Sequence, residues 1–209
     1  MRACLFAGEG GEAGEFPAPP FAQTFELPQR RRRGDSKRFY EPDRVERIAE
    51  QLVDLVAAAG PLQRDQAYRE VIECYGLATL GKRIRGILDG ALASRAGRLV
   101  VDADEFVWEA GAERDDREFL RLPTPGSERS EREADQLPPL EVVNAAAWVL
   151  SRSKSIEREA LVRETAKLFG IVRLGRHVRT AMERGVERLL ERGGVTVEGE
   201  RLTLSDAPS

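Results

Sequence analysis

Apolar residues recur along this chain first at a helical spacing and then at a strand spacing, and the whole succession occurs twice. After Pro42, Val45, Ile48, Ala49, Leu52, Val53 and Val56 follow an i, i+3, i+4 pattern, which lays one apolar stripe along a helix. Proline suits the first turn of a helix, and Ala59-Gly60-Pro61 ends this one. A second helix is predicted over residues 64–75, stopping at Gly76. A third runs from about Leu80 to before Gly97, with Ile84, Ile87, Leu88, Ala91 and Leu92 on its apolar face. Leu99-Val100-Val101 and Glu105-Phe106-Val107-Trp108, set around Asp102-Ala103-Asp104, predict a short hairpin. The order then returns. Pro138-Pro139 leads into a helix carrying Val142, Val143, Ala146, Ala147, Val149 and Leu150, and a helix over residues 157–169 stops at Gly170. A third, over 174–192, carries Val178, Ala181, Met182, Gly185, Val186 and Leu189. Gly193-Gly194 ends it before a hairpin of Val195-Thr196-Val197 and Arg201-Leu202-Thr203-Leu204.

The return is visible in the residues themselves. Residues 62–92 align without a gap onto residues 156–186, an offset of 94, and seven of the 31 pairs are identical. About two would be expected by chance from ordinary residue usage. The identical pairs are Arg64/Arg158, Arg69/Arg163, Glu70/Glu164, Gly76/Gly170, Leu80/Leu174, Gly81/Gly175 and Arg85/Arg179. Three helices followed by a two-stranded hairpin is the winged-helix order, a helix-turn-helix core with a β-wing. The fold class expected is therefore mainly α with small β-hairpins, as two tandem winged-helix modules over residues 42–110 and 137–205. Residues 1–41 are rich in Gly, Pro, Glu and Arg and carry no period, so a disordered or loosely docked segment is expected there. Residues 111–136 read as a charged linker and residues 206–209 as a tail.

The chain has 209 residues, 41% hydrophobic and 33% charged, a balance typical of a soluble globular protein. No apolar run is long enough to span a membrane, and the first residues are too weakly apolar for a secretory signal. With only Cys4 and Cys74, in different contexts, a disulfide is not expected and a cytoplasmic location is. Cys74 lies in an amphipathic helix beside Tyr75 and reads as a buried thiol. The net charge of −3 excludes bulk attraction to polyanions, so any nucleic-acid role must be local. Two segments are locally biased. Residues 30–44 hold seven basic and three acidic residues, and residues 111–136 hold five basic and eight acidic.

Gly76-Leu77-Ala78-Thr79-Leu80-Gly81-Lys82-Arg83 nearly spells a phosphate-binding loop, but that loop needs Ser or Thr after the lysine and a preceding strand. The matching segment ends Gly175-Arg176-His177, so the glycines are better explained as ending one helix and starting the next. The third helices hold the functional candidates. On a helical wheel, Lys82 and Gly86 point away from the core with Arg83 and Arg85 beside them. Arg176 and Thr180 point away in the second copy, flanked by His177 and Arg179, with Arg173 just before the helix. A cationic first half on an exposed helix suits phosphate or major-groove contact, although Asp89 and Glu183 also lie on the outer side. An ordinary solvated face would look the same. Arg85 and Arg179 have a structural alternative, pairing with Glu70 and Glu164 to lock the turn. The hairpin tips are acidic, with Asp102, Asp104 and Glu105 in the first and Glu198 and Glu200 in the second, which opposes phosphate contact by a wing. His177 is the only histidine and has no nucleophile or carboxylate placed beside it. No Cys/His set has metal spacing, so no catalytic residue, metal or cofactor is expected. Trp108 and Trp148 fit packing better than base stacking.

Two stretches, residues 59–92 with Asp104-Glu105-Phe106-Val107-Trp108 and residues 157–190, resemble a C-terminal domain of unknown function. It occurs on large bacterial superfamily I helicase-like proteins, often beside a restriction-endonuclease-like nuclease domain. The resemblance extends over residues 44–204, and the Leu-Gly-x-x-[Ile/Val]-Arg turn of both copies and Phe106-Val107-Trp108 are its most specific parts. It implies association with a helicase or nuclease and supplies no catalytic residues. The 209 residues contain neither a motor nor a nuclease domain, which leaves open a stand-alone relative, a split gene product or a truncated piece. The expected function is a non-catalytic accessory module that binds DNA for such a partner. The alternative is a protein-interaction module that docks the partner without touching nucleic acid. Neither needs a membrane or a small-molecule substrate.

Overall fold

The computed structural model describes residues 16–112, 118–153 and 155–205. Helix α1 (Arg44–Ala59) buries Ile48, Ala49, Leu52, Val53 and Val56, the stripe expected from their spacing. Helix α2 (Arg64–Glu73) opens where the Gln63 side chain accepts the Gln66 backbone N–H, and α3 (Lys82–Ala93) opens at Gly81 and buries Ile84, Leu88, Ala91 and Leu92. Two more strands, β3 (Leu99–Val101) and β4 (Phe106–Glu109), form the hairpin. Between α1 and α2 lies a strand that no pattern announces, β2 (Leu62–Gln63). It pairs antiparallel with β4 and completes a three-stranded sheet of order β2-β4-β3. Residues 139–204 have the same order of elements: α4 (Pro139–Arg152), β6 (Ile156–Glu157), α5 (Arg158–Leu168), α6 (Arg176–Glu191), β7 (Val195–Glu198) and β8 (Arg201–Leu204), with a sheet of order β6-β8-β7. The described part of the chain thus mixes six α-helices with small sheets, each helical group on its own hydrophobic core.

Two segments expected to be loose are packed. Strand β1 (Gln23–Phe25) pairs in parallel with β5 (Arg121–Pro123), joining the N-terminal segment to the charged connector. Phe25, Leu27 and Phe39 are buried in the first core, and Leu120 and Leu122 in the second. These apolar residues are isolated and aperiodic, so pattern alone does not reveal their burial. The residues before Phe16 and the tail at 206–209 lie outside the described residues, as does Cys4.

What holds the connector in place is a buried charge network. Glu141, in the first turn of α4, is fully buried. Arg121 donates Nε to Glu141 Oε1 at 3.0 Å and its backbone N–H to Oε2 at 3.0 Å, while Arg132 donates to the two oxygens at 2.9 and 3.0 Å. Burial pushes the Glu141 carboxyl up, but the two guanidinium groups outweigh it and hold its pKa below the usual carboxylate range. Arg121 also reaches into the first core's border, donating to the carbonyls of Ala59, Gly60 and Pro61 at 2.5, 2.7 and 2.9 Å. Those carbonyls close the C-terminal end of α1, where unpaired oxygens and the helix dipole favour a cation. Phe25 lies under both guanidinium planes, 5.1 Å from Arg121 and 4.3 Å from Arg132. One cluster therefore ties α1, β1, β5 and α4 together.

Further contacts join the two halves. Phe106, Trp108 and Leu140 form a small apolar cluster with Phe119 against it. Asp104, on the first hairpin, accepts from Arg184 at 3.0 Å and from Arg188 at 3.0 and 3.1 Å on α6. Within the second half α4 and α6 approach closely at Gly185, where an added Cβ would sit 2.3 Å from Val142 Cγ1.

Two stability effects are expected. Glu141→Gln leaves two buried cations without their anion and should cost about 3–5 kcal/mol in urea unfolding, whereas Gly185→Ala should cost about 1–3 kcal/mol by overpacking. The folded pKa of Glu141 lies below its unfolded value, so its contribution is present above about pH 4–5 and is lost on further acidification. Unfolding curves from pH 7 to pH 3 should show that decline in the native chain and a smaller one in Glu141→Gln.

Candidate nucleic-acid interface

The α2–α3 and α5–α6 turns are built alike. Gly76 and Gly170 take φ of +73° and +76° just after their helices, a conformation that favours glycine. Gly81 and Gly175 stand immediately before α3 and α6 in extended conformation. The near-phosphate loop therefore follows a helix and carries no strand. Arg85 and Arg179 are held by carboxylates, but not the expected ones. Arg85 makes a two-pronged pair with Asp65 at 2.5 and 2.8 Å, and Arg179 makes the same pair with Glu159. Asp65 and Glu159 begin α2 and α5, opposite the first turn of the next helix. Hydrogen bonding from Arg85 lowers the Asp65 pKa, and hydrogen bonding to Asp65 raises that of Arg85. Glu70 instead takes Arg30 and Arg129, and Glu164 takes Lys167. Arg85 and Arg179 thus brace the turn, and Glu70 and Glu164 do other work.

That leaves a different set of cations exposed. Lys82, Arg83 and Gly86 face solvent on α3. Arg83 lies over the ring of Tyr40, 4.6 Å from its centroid. Tyr40 ends a 3-10 turn, Arg38–Tyr40, whose Phe39 is buried edge-on against Tyr75. The Asp35 carboxylate starts that turn by accepting the backbone N–H groups of Lys37 and Arg38, and Arg33 N–H donates to Cys74 O at 2.8 Å. The basic N-terminal run is thereby laid across the end of α2 and brought to the first turn of α3. Arg31, Arg32, Arg33, Lys37, Arg38, Lys82 and Arg83 are all exposed, with Glu46, Glu50 and Asp54 of α1 lining a pocket beside Arg32 and Arg33. Cys74 is half-buried, its thiol donating to Glu70 O, and burial raises its pKa.

The second copy is dressed differently. Arg173, Arg176 and His177 are exposed, but the outer face of α6 looks into a cleft of about 1000 Å³ whose other wall is the connector. That wall presents Glu131, Glu133 and Asp135, which would repel a phosphate backbone. Thr180, expected on the outer face, is exposed there and bonds back to Arg176 O. On the outer side, Asp89 accepts from Tyr68 OH at 2.7 Å and Glu183 lies 3.8 Å from Arg179.

The acids of the first hairpin are largely spoken for. Asp102 accepts the Trp108 indole N–H at 2.7 Å and two backbone N–H groups of the turn, Asp104 holds Arg184 and Arg188, and Glu105 pairs with Arg64. Trp108 is buried, and Trp148 donates to Pro17 O and meets Phe21 edge-on; both pack. On the second hairpin Glu198, Glu200 and Arg201 are exposed. Among the described residues no cluster of three His, Cys, Asp or Glu side chains is placed to hold a metal, and no helix is long and apolar enough to cross a membrane. Comparison with known protein families, curated proteins and solved structures finds no match.

The division between bracing and exposed cations can be checked by unfolding. Arg85→Gln should lower stability by up to about 1 kcal/mol, the range of a partly exposed pair, while Lys82→Gln should stay within about 0.5 kcal/mol.

Proposed function

We propose that the chain is a non-catalytic pair of winged-helix modules that binds nucleic acid through the first module and serves a helicase or nuclease partner. The winged-helix reading is supported by the order helix, short strand, helix, helix, hairpin in each half, and by the small sheet that joins the short strand to the hairpin. The observation that carries the binding reading is the basic surface of Arg31, Arg32, Arg33, Lys37, Arg38, Lys82 and Arg83. It joins the first half of α3 to a pinned basic run, whereas Arg176 and His177 face carboxylates across a cleft. Phosphate contact of this kind positions a duplex without reading its sequence. The helicase or nuclease partner rests on the resemblance of residues 44–204 alone.

Fluorescence anisotropy with a labelled duplex tests the interface. The native chain should bind at low salt, with a log–log salt slope of about −4 to −6 if five to seven phosphates are neutralised. Lys82→Glu with Arg83→Glu, or Arg31→Glu with Arg32→Glu and Arg33→Glu, should each weaken binding at least tenfold. Arg176→Glu with His177→Glu should change it less than twofold. Absence of binding at low salt, or indifference to the first two sets, would refute the interface.

The alternative, a protein-docking module, draws on one specific observation: the cleft beside α6 has walls of opposite charge.

A further inference from the structure

The cleft between the connector and α6 is lined by side chains of both charges. Arg176, His177 and Arg184 line the α6 side, and Glu131, Glu133 and Asp135 line the connector side. Among the described residues no ion pair joins the two sets, Arg184 pairing instead with Asp104. The connector turn Ala134–Gln136 packs against α6, and the charged side chains around it are anchored elsewhere. The connector wall is fixed by Arg132, which lies between Glu131 and Glu133 and is locked to buried Glu141. A reciprocal cap between Glu133 and Gln136 fixes the next turn. On the α6 side, Arg184 is drawn toward Asp104 of the first hairpin. Between the walls the lining turns apolar, with Phe169, Ile171 and Ala181, and Val172 beside Ile171 is 83% exposed.

We infer that this cleft is a docking groove for an amphipathic helix of a partner protein, one with an apolar stripe bordered by acidic residues on one edge and basic residues on the other. Charge complementarity selects that occupant. A phosphate chain would meet the carboxylate wall, and a wholly apolar segment would leave both walls unpaired on desolvation. Arg176, Thr180 and Arg184 span nine residues of α6, roughly 12 Å at the helical rise. A guest helix of two to three turns offers charged edges of that length, with its stripe facing the floor. The groove shares none of Lys82, Arg83 or residues 31–38, so it stands whether or not the basic surface binds nucleic acid.

The test uses the full chain and three labelled 18-residue helical peptides sharing one leucine stripe. One has a glutamate edge and a lysine edge, one has lysine on both edges, and one has glutamate on both. The mixed peptide should bind at least tenfold more tightly than either of the others. Glu131→Lys with Asp135→Lys should transfer the preference to the all-glutamate peptide, and Arg176→Glu with His177→Glu to the all-lysine peptide. Such an exchange of preference is not produced by loss of folding. Equal binding of the three peptides, no binding of any, or an unchanged preference in the variants would overturn the proposal. Displacement of the mixed peptide by a duplex that the Lys82→Glu, Arg83→Glu variant still binds would overturn it too, by assigning the cleft to nucleic acid.

Discussion

The structure depends on one fully buried carboxylate. Glu141 sits where α4 begins and binds Arg121 and Arg132 from the connector, while Arg121 carries on to the carbonyls that end α1. A buried anion of this sort is costly unless its partners are all in place. Here the carboxylate has two guanidinium groups, one of which is shared with a helix C-terminus that needs a donor. The arrangement converts a charge-rich segment that would otherwise wander into a strut between the two halves. Phe25 beneath both arginines adds the N-terminal strand to the same knot.

Fixing the connector has a consequence for chemistry. Once Arg132 is locked inward, its neighbours Glu131 and Glu133 line the cleft beside α6, so the outer side of that helix meets an acidic wall. The first unit receives the opposite treatment. Its flanking segment is arginine-rich and is pinned by Arg30 to Glu70 and Glu73, by Arg33 to Cys74, and by Phe39 in the core. Two sets of elements in the same order thus present different faces, one dominated by cations and one where cations share a cleft with carboxylates, and the difference comes from what lies against them.

The helices and hairpins were legible because each carries its own period, and the bounds differ by a few residues at most. The two-residue strands β2 and β6 were not, since a pair of residues has no period, and only their later partner β4 or β8 defines them. The connector's burial was hidden for a chemical reason. Arg121, Arg132 and Glu141 look like solvated charges among many others, and nothing in their spacing marks them as a buried set. The bracing of Arg85 and Arg179 was half legible. Retention of both arginines pointed to a shared structural role, but identity also drew attention to Glu70 and Glu164. The true partners, Asp65 and Glu159, differ by one methylene between copies and so pass beneath a search for identical residues. Lys82 and Arg176 stood out as cations that packing did not explain, yet only the three-dimensional setting shows that one is open and the other screened.

The central claim is that nucleic acid lies on the first unit's basic surface and not on α6. Backbone hydrogen exchange of the full chain, with and without a short duplex at low salt, addresses it directly. Slowed exchange confined to residues 31–40 and 79–86, with residues 172–180 unchanged, is the predicted result. Slowed exchange centred on residues 172–180, or none anywhere at saturating duplex, would contradict it.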